Sequence, residues 1–258
     1  MSKLYANIGV AHENSIATLE ARVVAAAQCN ADAVIINKAT PALIIPEEKK
    51  YVSVQSRWGS LPYLEVAKLS EITPHNAEKI SELCEQIGIP LYWSVTDSQA
   101  AEFVKEHTNC DTVKLHYDSV NVYELSRYCK DKFSWVIYND RHHTEYDVLY
   151  KKDTDKRYSV YYTTPEFPPE IENINLKHID ELIAQGHTVG YESRDTGVFP
   201  GSAVIFKGVD YIEKYLGDPD SDNPAVLTPD QFYDFYTYME IFTLANDSEM
   251  LVNPPETP

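Results

Sequence analysis

With 258 residues, 40 Asp and Glu against 22 Lys and Arg, and a formal net charge of -18, the chain is repelled by nucleic acid and anionic lipid, and an anionic ligand would need a local basic patch. A hydrophobic content of 43% with 24% charged residues excludes a disordered chain, and no apolar run approaches the ~18 residues of a membrane span. Cys29, Cys84, Cys110 and Cys129 lack CxxC or metal-ligand spacing and read as free buried thiols of a cytoplasmic protein; MSKLYANIGV carries no secretory signature.

Tyr5 to Ser15, YANIGVAHENS, predicts a strand built on Ile8 and Val10, a turn at 11–14, and a helix opening at Asn14 or Ser15, both N-cap residues. That helix runs to about Cys29 with Ile16, Leu19, Val23 and Ala27 on its apolar face and Glu20 and Arg22 opposite. A second strand over 32–37 completes a strand-helix-strand crossover, the unit that parallel strands require. The segment 38–70, with Pro41, Pro46 and Pro62, reads as a long loop, and its Trp58 and Tyr63 are candidates for a sugar platform or a subunit contact.

The period then repeats. Thr73-Pro74 opens a helix that Gly88 stops; strands follow at 90–95, 112–117, 133–139, 158–163, 188–192 and 210–215, with helices at 98–106, 122–130, 144–150, 176–185 and 202–207 between them. The last helix opens at Thr228 with Gln231 three residues on, a capping box, and carries Phe232, Phe235, Met239 and Phe242 as one stripe. Eight strands alternating with helices and no second composition zone predict an α/β fold, a (β/α)8 TIM barrel over 1–245 with a flexible polar tail at 246–258; an open doubly wound sheet is the alternative.

The segments YANIGVAHENS, CNADAVIIN, CEQIGIPLYWSVTD, VKLHYDSVNVYEL, TTPEFPPEIENINL, HTVGYESRDTG and VDYIEKYL resemble, in the same order and at similar spacing, signature blocks of the N-acetylneuraminate (sialic acid) synthase family. The resemblance implies a TIM barrel that condenses phosphoenolpyruvate with N-acetylmannosamine or a related sugar, using a divalent metal held by two histidines. Members usually add a C-terminal antifreeze-like domain, to which no segment of these 258 residues corresponds.

By the same resemblance, Lys114, Glu213 and the turn residue His12 match family functional positions. Asn7 stands for a glutamate, Ile35 for a phosphoenolpyruvate-contacting lysine, Asn37 for a glutamine, and Ser119 for a glutamate; Pro165 and Phe167 stand for an asparagine and a tyrosine. The metal histidines fall at Arg194 and Tyr215, neither of which replaces an imidazole on such an ion, so no metal or other cofactor is expected.

Strand alternation puts His116 and Asp118 on the side of Lys114, Arg194 with Glu192, and Tyr215 with Glu213. In one reading this cluster is an ion-pair network, Arg194 with Glu192 or Glu213 and Lys114 with Asp118. In the other, Arg194 and Lys114 bind a carboxylate or phosphate and His116 handles a proton. The expected catalytic set is Lys114, His116 and Glu213, and the expected ligand-binding set Asn7, His12, Asn37, Asp118, Glu192, Arg194 and Tyr215. A relocated metal site from His116, His142 and Asp140 is a further alternative, while His75, His107, His178 and His187 read as solvated.

The functional expectation is a divergent synthase-like protein of sugar-acid biosynthesis with the condensation weakened or lost; the alternative is an inactive relative that binds a sugar acid or serves beside an active synthase. Expected partners are a sugar or sugar acid, with phosphoenolpyruvate a further candidate and a homodimer a candidate assembly; nucleic acid and membrane are not expected.

Overall fold

The structure, a computed structural model, describes residues 2–9, 12, 14–140, 150, 156–218, 221 and 223–247. Strand β1 (Lys3–Gly9) leads to helix α1 (Ile16–Gln28), for which Ser15 is the N-cap, accepting from the Thr18 amide, and β2 (Ala33–Lys38) follows. The segment expected as a loop instead holds short helices α2 (Pro41–Ile44) and α3 (Glu47–Lys50), a hairpin of β3 (Ser53–Ser56) and β4 (Gly59–Pro62), and α4 (Tyr63–Ser70). Each proline there sits at or beside an element boundary, where its fixed φ and missing N–H are tolerated, so the prolines mark starts and stops within the excursion.

Helix α5 (Pro74–Ile87) begins at the predicted cap, the Thr73 hydroxyl accepting from the Asn76 amide, and ends at Gly88 with φ +82°. Then come β5 (Leu91–Val95), α6 (Ser98–His107), β6 (Thr112–Leu115), α7 (Val122–Lys132), β7 (Trp135–Asp140) and β8 (Tyr158–Thr163). Helix α8 (Lys177–Ala184), β9 (Val189–Ser193), α9 (Phe199–Ala203), β10 (Tyr211–Leu216), the two-residue β11 (Val226–Leu227) and α10 (Pro229–Asp247) complete the described chain. The predicted capping box is formed in both directions: Gln231 N donates to Thr228 Oγ1 at 3.3 Å and Thr228 N to Gln231 Oε1 at 3.0 Å.

Eight strands pair in parallel in the order β1-β2-β5-β6-β7-β8-β9-β10, and β10 pairs back onto β1, with Asn7 beside Tyr215 and Tyr5 beside Glu213. The sheet therefore closes, which excludes the open doubly wound alternative. Residues on one parity of each strand face the helices and build the outer core; the other parity fills the barrel. The lower interior is an apolar plug of Tyr5, Ala33, Ile35, Ile137 and Tyr161, with Tyr92, Trp135 and Tyr211 against it. Gly190 makes room for this plug, since a Cβ there would lie 2.4 Å from the Tyr161 ring. Among the described residues no helix is long and apolar enough to cross a membrane.

Two side chains depart from their expected surroundings. Arg22 is buried in the stripe of Leu19, Val23 and Ala26, because a helix position three or four from two core residues faces the core whatever its charge. His178 is also buried rather than solvated, with its ring nitrogens 3.0 Å from Asp140 Oδ2 and 2.9 Å from Glu181 Oε2.

Candidate functional site

Above the apolar plug the interior turns polar. Glu192 and Glu213 are register neighbours on β9 and β10, so two carboxylates lie side by side in a buried layer. Adjacent like charges in a low dielectric cannot both ionise without a cation between them. Lys114 supplies it from β6, across the barrel: its Nζ lies 2.7 Å from Glu192 Oε2 and 2.6 Å from Glu213 Oε2. The remaining acceptor positions are filled by Asn7 Nδ2 on Glu213 Oε1 at 2.7 Å, the Tyr215 hydroxyl on Glu192 Oε1 at 2.9 Å, and Thr163 Oγ1 on Glu192 Oε2 at 3.2 Å.

The protonation preferences follow from this wiring. Burial raises the Glu192 carboxyl, but Lys114 and Arg194 outweigh it and hold the group at about 2. Glu213 goes the other way, raised by burial against Lys114 and with Glu192 beside it, so it is the carboxyl that takes a proton first. Burial opposes the charge of Lys114, and the two carboxylates restore it and raise its pKa. The Tyr215 phenol is held far above its ordinary value by burial and by both glutamates, so it stays a donor.

Arg194 keeps the ion pair with Glu192 that the network reading expects, while its hydrogen bonds go elsewhere. Its Nη1 donates to the carbonyls of Thr164 at 3.1 Å and Pro165 at 3.3 Å, and its guanidinium lies between the rings of Tyr117 and Phe167, 4.7 and 4.6 Å from their centroids. Glu192 Oε1 stands 3.8 Å from Nε, too far for a hydrogen bond. Lys114 does not pair with Asp118, because β6 ends at Leu115; the chain turns there, Ser119 N donating to His116 O, and Asp118 is exposed.

A cavity of about 500 Å3 opens over this layer at the C-terminal ends of the strands. Of the expected site residues, Asn7, Asn37, His116, Asp118, Arg194 and Tyr215 line it, while Lys114, Glu192 and Glu213 lie buried out of its lining. His116 is half-buried; its Nδ1 accepts from the Asp118 amide at 3.1 Å, which leaves Nε2 as the protonated nitrogen, and burial lowers its pKa to about 4. His12 repeats the motif outside the lining, with Nδ1 accepting from the Asn14 amide at 3.0 Å and Nε2 without a hydrogen-bond partner among the described residues.

Among the lining residues that sequence reasoning did not place in the site, three carry a ring or a charge. Phe167 was matched to a family tyrosine but not placed in the site, and Arg22 and Asp218 were not assigned to it. The available signal for Arg22 was its position within the apolar stripe of α1. Trp58 and Tyr63, candidates for a sugar platform or a subunit contact, do not line the cavity, and Trp58 stacks with Arg57, 4.4 Å from ring centroid to guanidinium.

The family's divalent ion does not fit these residues. A guanidinium at position 194 has no lone pair to give, the phenol at 215 donates to Glu192, and the Glu192 and Glu213 oxygens are occupied by Lys114, Asn7 and Thr163. Among the described residues no group of three or more His, Cys, Asp or Glu is arranged to hold a metal. Of the relocated-site residues, His142 lies outside the described residues. Asp140 is engaged by the Tyr150 hydroxyl and His178 on the helix side of β7, away from the cavity that His116 lines.

A closed (β/α)8 barrel whose polar cleft sits at the C-terminal ends of its strands places the molecule among TIM-barrel proteins, which build their sites there. Residues 22–249 match the model of the NeuB family, and the chain belongs to that family. Among solved structures it is similar to N-acetylneuraminic acid (sialic acid) synthetase from Leptospira borgpetersenii serovar Hardjo-bovis in complex with citrate, at TM-score 0.83 and 16% identity over 98% of this chain and 88% of that one. It is also similar to a putative spore coat polysaccharide biosynthesis protein E from Chromobacterium violaceum, at TM-score 0.81 and 14% identity over 98% and 78% of the two chains. The Bacillus subtilis spore coat polysaccharide biosynthesis protein spsE follows at TM-score 0.71 and 15% identity over 96% and 71%. At such identities the likeness carries the fold. No curated protein matches the chain in sequence.

Proposed function

We propose that this NeuB-family chain serves sugar-acid biosynthesis as a binder of a sugar acid in the cleft at the barrel mouth, with phosphoenolpyruvate condensation weakened or lost. One observation carries the reading: the cation that the resemblance assigns to chemistry, Lys114, is enclosed between Glu192 and Glu213 below the cavity. A phosphate would need several unpaired cations, and the charged lining balances Arg22 and Arg194 against Asp118 and Asp218. Such a neutral lining suits a monocarboxylate with hydroxyls better than a phosphate dianion.

In this reading Arg194 holds the carboxylate, since its Nη2 makes no hydrogen bond with the described residues while Nη1 and the flanking rings fix its plane. His116 Nε2–H and the amide of Asn37 contact sugar hydroxyls, and the exposed part of Phe167 covers an apolar face of the ring. With its pKa at about 4, His116 donates as a neutral imidazole near pH 7 and does not serve as a proton source.

The test is a steady-state assay of phosphate release from phosphoenolpyruvate with N-acetylmannosamine across several divalent metals, together with melting-temperature shifts by N-acetylneuraminate. No release above background at high protein concentration, with a dose-dependent upward shift, is expected. Enzyme-dependent release overturns the loss of condensation, and the absence of any shift overturns the binding.

A further inference from the structure

The cavity contains a second guanidinium to which the proposed function gives no contact with the ligand. Arg22 projects from the buried face of α1, its Nη1 donating to the Ile8 carbonyl at 3.2 Å and its Nη2 to Asp218 Oδ2 at 2.5 Å. The two partners differ sharply in burial: the Arg22 side chain is 7% exposed and that of Asp218 53%. Placing a permanently charged side chain within a helix's apolar stripe opposes folding unless the charge is partnered.

We propose that Asp218 is a placeholder carboxylate at Arg22, displaced when the carboxylate of a bound sugar acid pairs with this guanidinium. The proposal rests on the sugar-acid reading of the cleft and has the ligand's one carboxylate shared between Arg194 and Arg22, both of which line the cavity. Their carboxylate partners differ: that of Arg194 is the buried Glu192, and that of Arg22, which the Ile8 carbonyl also holds, is the part-exposed Asp218. Exchange is favourable in one direction because of the exposure difference. Asp218 is already half in water and rehydrates on leaving, whereas Arg22 stays in place and keeps a carboxylate partner throughout. A ligand carboxylate can take the place on Nη2 that Asp218 Oδ2 now holds, and a neutral sugar offers nothing that would compensate for displacing it.

The deciding experiment is calorimetric titration of N-acetylneuraminate, with its uncharged methyl ester as control, into the wild-type protein and the Asp218→Asn, Asp218→Ala, Arg22→Met and Arg22→Met/Asp218→Asn variants. Removing the placeholder should tighten N-acetylneuraminate binding about two- to fivefold, the range of a part-exposed ion pair, and leave the methyl ester unchanged. In the Arg22→Met background the gain from Asp218→Asn should vanish; should that variant not fold, Arg22→Gln replaces it.

Wild-type binding that Asp218→Asn leaves equal or weakens overturns the placeholder while the sugar-acid reading stands. A gain that persists without Arg22, or that appears equally with the ester, is a long-range charge effect and overturns it too. No binding of N-acetylneuraminate to any variant overturns both readings.

Discussion

Lys114 Nζ lies 2.6 Å from Glu213 Oε2 at the centre of the barrel, and 2.7 Å from Glu192 Oε2, so one ammonium separates two neighbouring buried carboxylates. Taking the cation away leaves like charges facing each other with no water to screen them. Lys114→Met should lower stability by about 3 to 5 kcal/mol, read as a drop in the urea midpoint. Adding Glu213→Gln should recover part of the loss, because Glu213 is the carboxyl already raised toward protonation. A single variant as stable as wild type would mean that the network does not hold the mouth.

Ile35 occupies a position where the resemblance places a lysine, but it packs against Tyr5, Ile137 and Tyr161 in the apolar plug. Ile35→Lys should therefore cost about 3 to 5 kcal/mol rather than rebuild a phosphate site. Thermal denaturation and the phosphate-release assay check it together. A stable variant that gains phosphoenolpyruvate turnover would refute the reading of this layer as a closed floor.

Gly190 faces the Tyr161 ring at a distance where a methyl group has no room. Gly190→Ala should destabilise by about 1 to 3 kcal/mol through overpacking. Tyr161→Phe keeps the ring and should not relieve the clash, whereas Tyr161→Leu should relieve some of it. Equal behaviour of the two second-site changes in denaturant titrations would count against a steric cause.

His12 is buried, and burial, then Arg22 and Lys38, lower its pKa from 6.5 to about 4. A folded pKa below the unfolded one means that the stabilisation is present above pH 6.5 and lost as pH falls toward 4. Its full size is roughly 3 kcal/mol. His12→Gln should flatten the fall in melting temperature between pH 7 and pH 4.5. His178 works in the opposite sense, raised by Asp140 and Glu181 over the effect of burial, so its contribution is held at low pH and lost as pH rises through its folded pKa. An unaltered pH profile in His12→Gln would show that its imidazole titrates as in the unfolded chain.

Much of the barrel was legible because its signals are local. Ser15, Thr73-Pro74, Gly88 and the Thr228/Gln231 pair each declare a helix end through hydrogen bonds to residues three positions away or through one left-handed φ, and all act as read. Strand parity likewise puts Lys114, Glu192, Glu213 and Tyr215 on the inward face, whereas His116, Asp118 and Arg194 lie past the ends of β6 and β9, where parity no longer applies. The segment 38–70 was less readable, since its hairpin and short helices are too brief to show a hydrophobic period.

Sequence by itself determined the period of alternating strands and helices, their caps and which residues of a strand share a face, because each depends only on near neighbours along the chain. Tertiary structure alone decided which of those residues meet. The pairing of Lys114 with two glutamates from the far side of the barrel, and of Arg22 on the first helix with Asp218 nearly two hundred residues later, depends on closure of β10 onto β1. Closure sets distances between residues remote in sequence, and at those distances charge either finds a partner or stays available for a ligand.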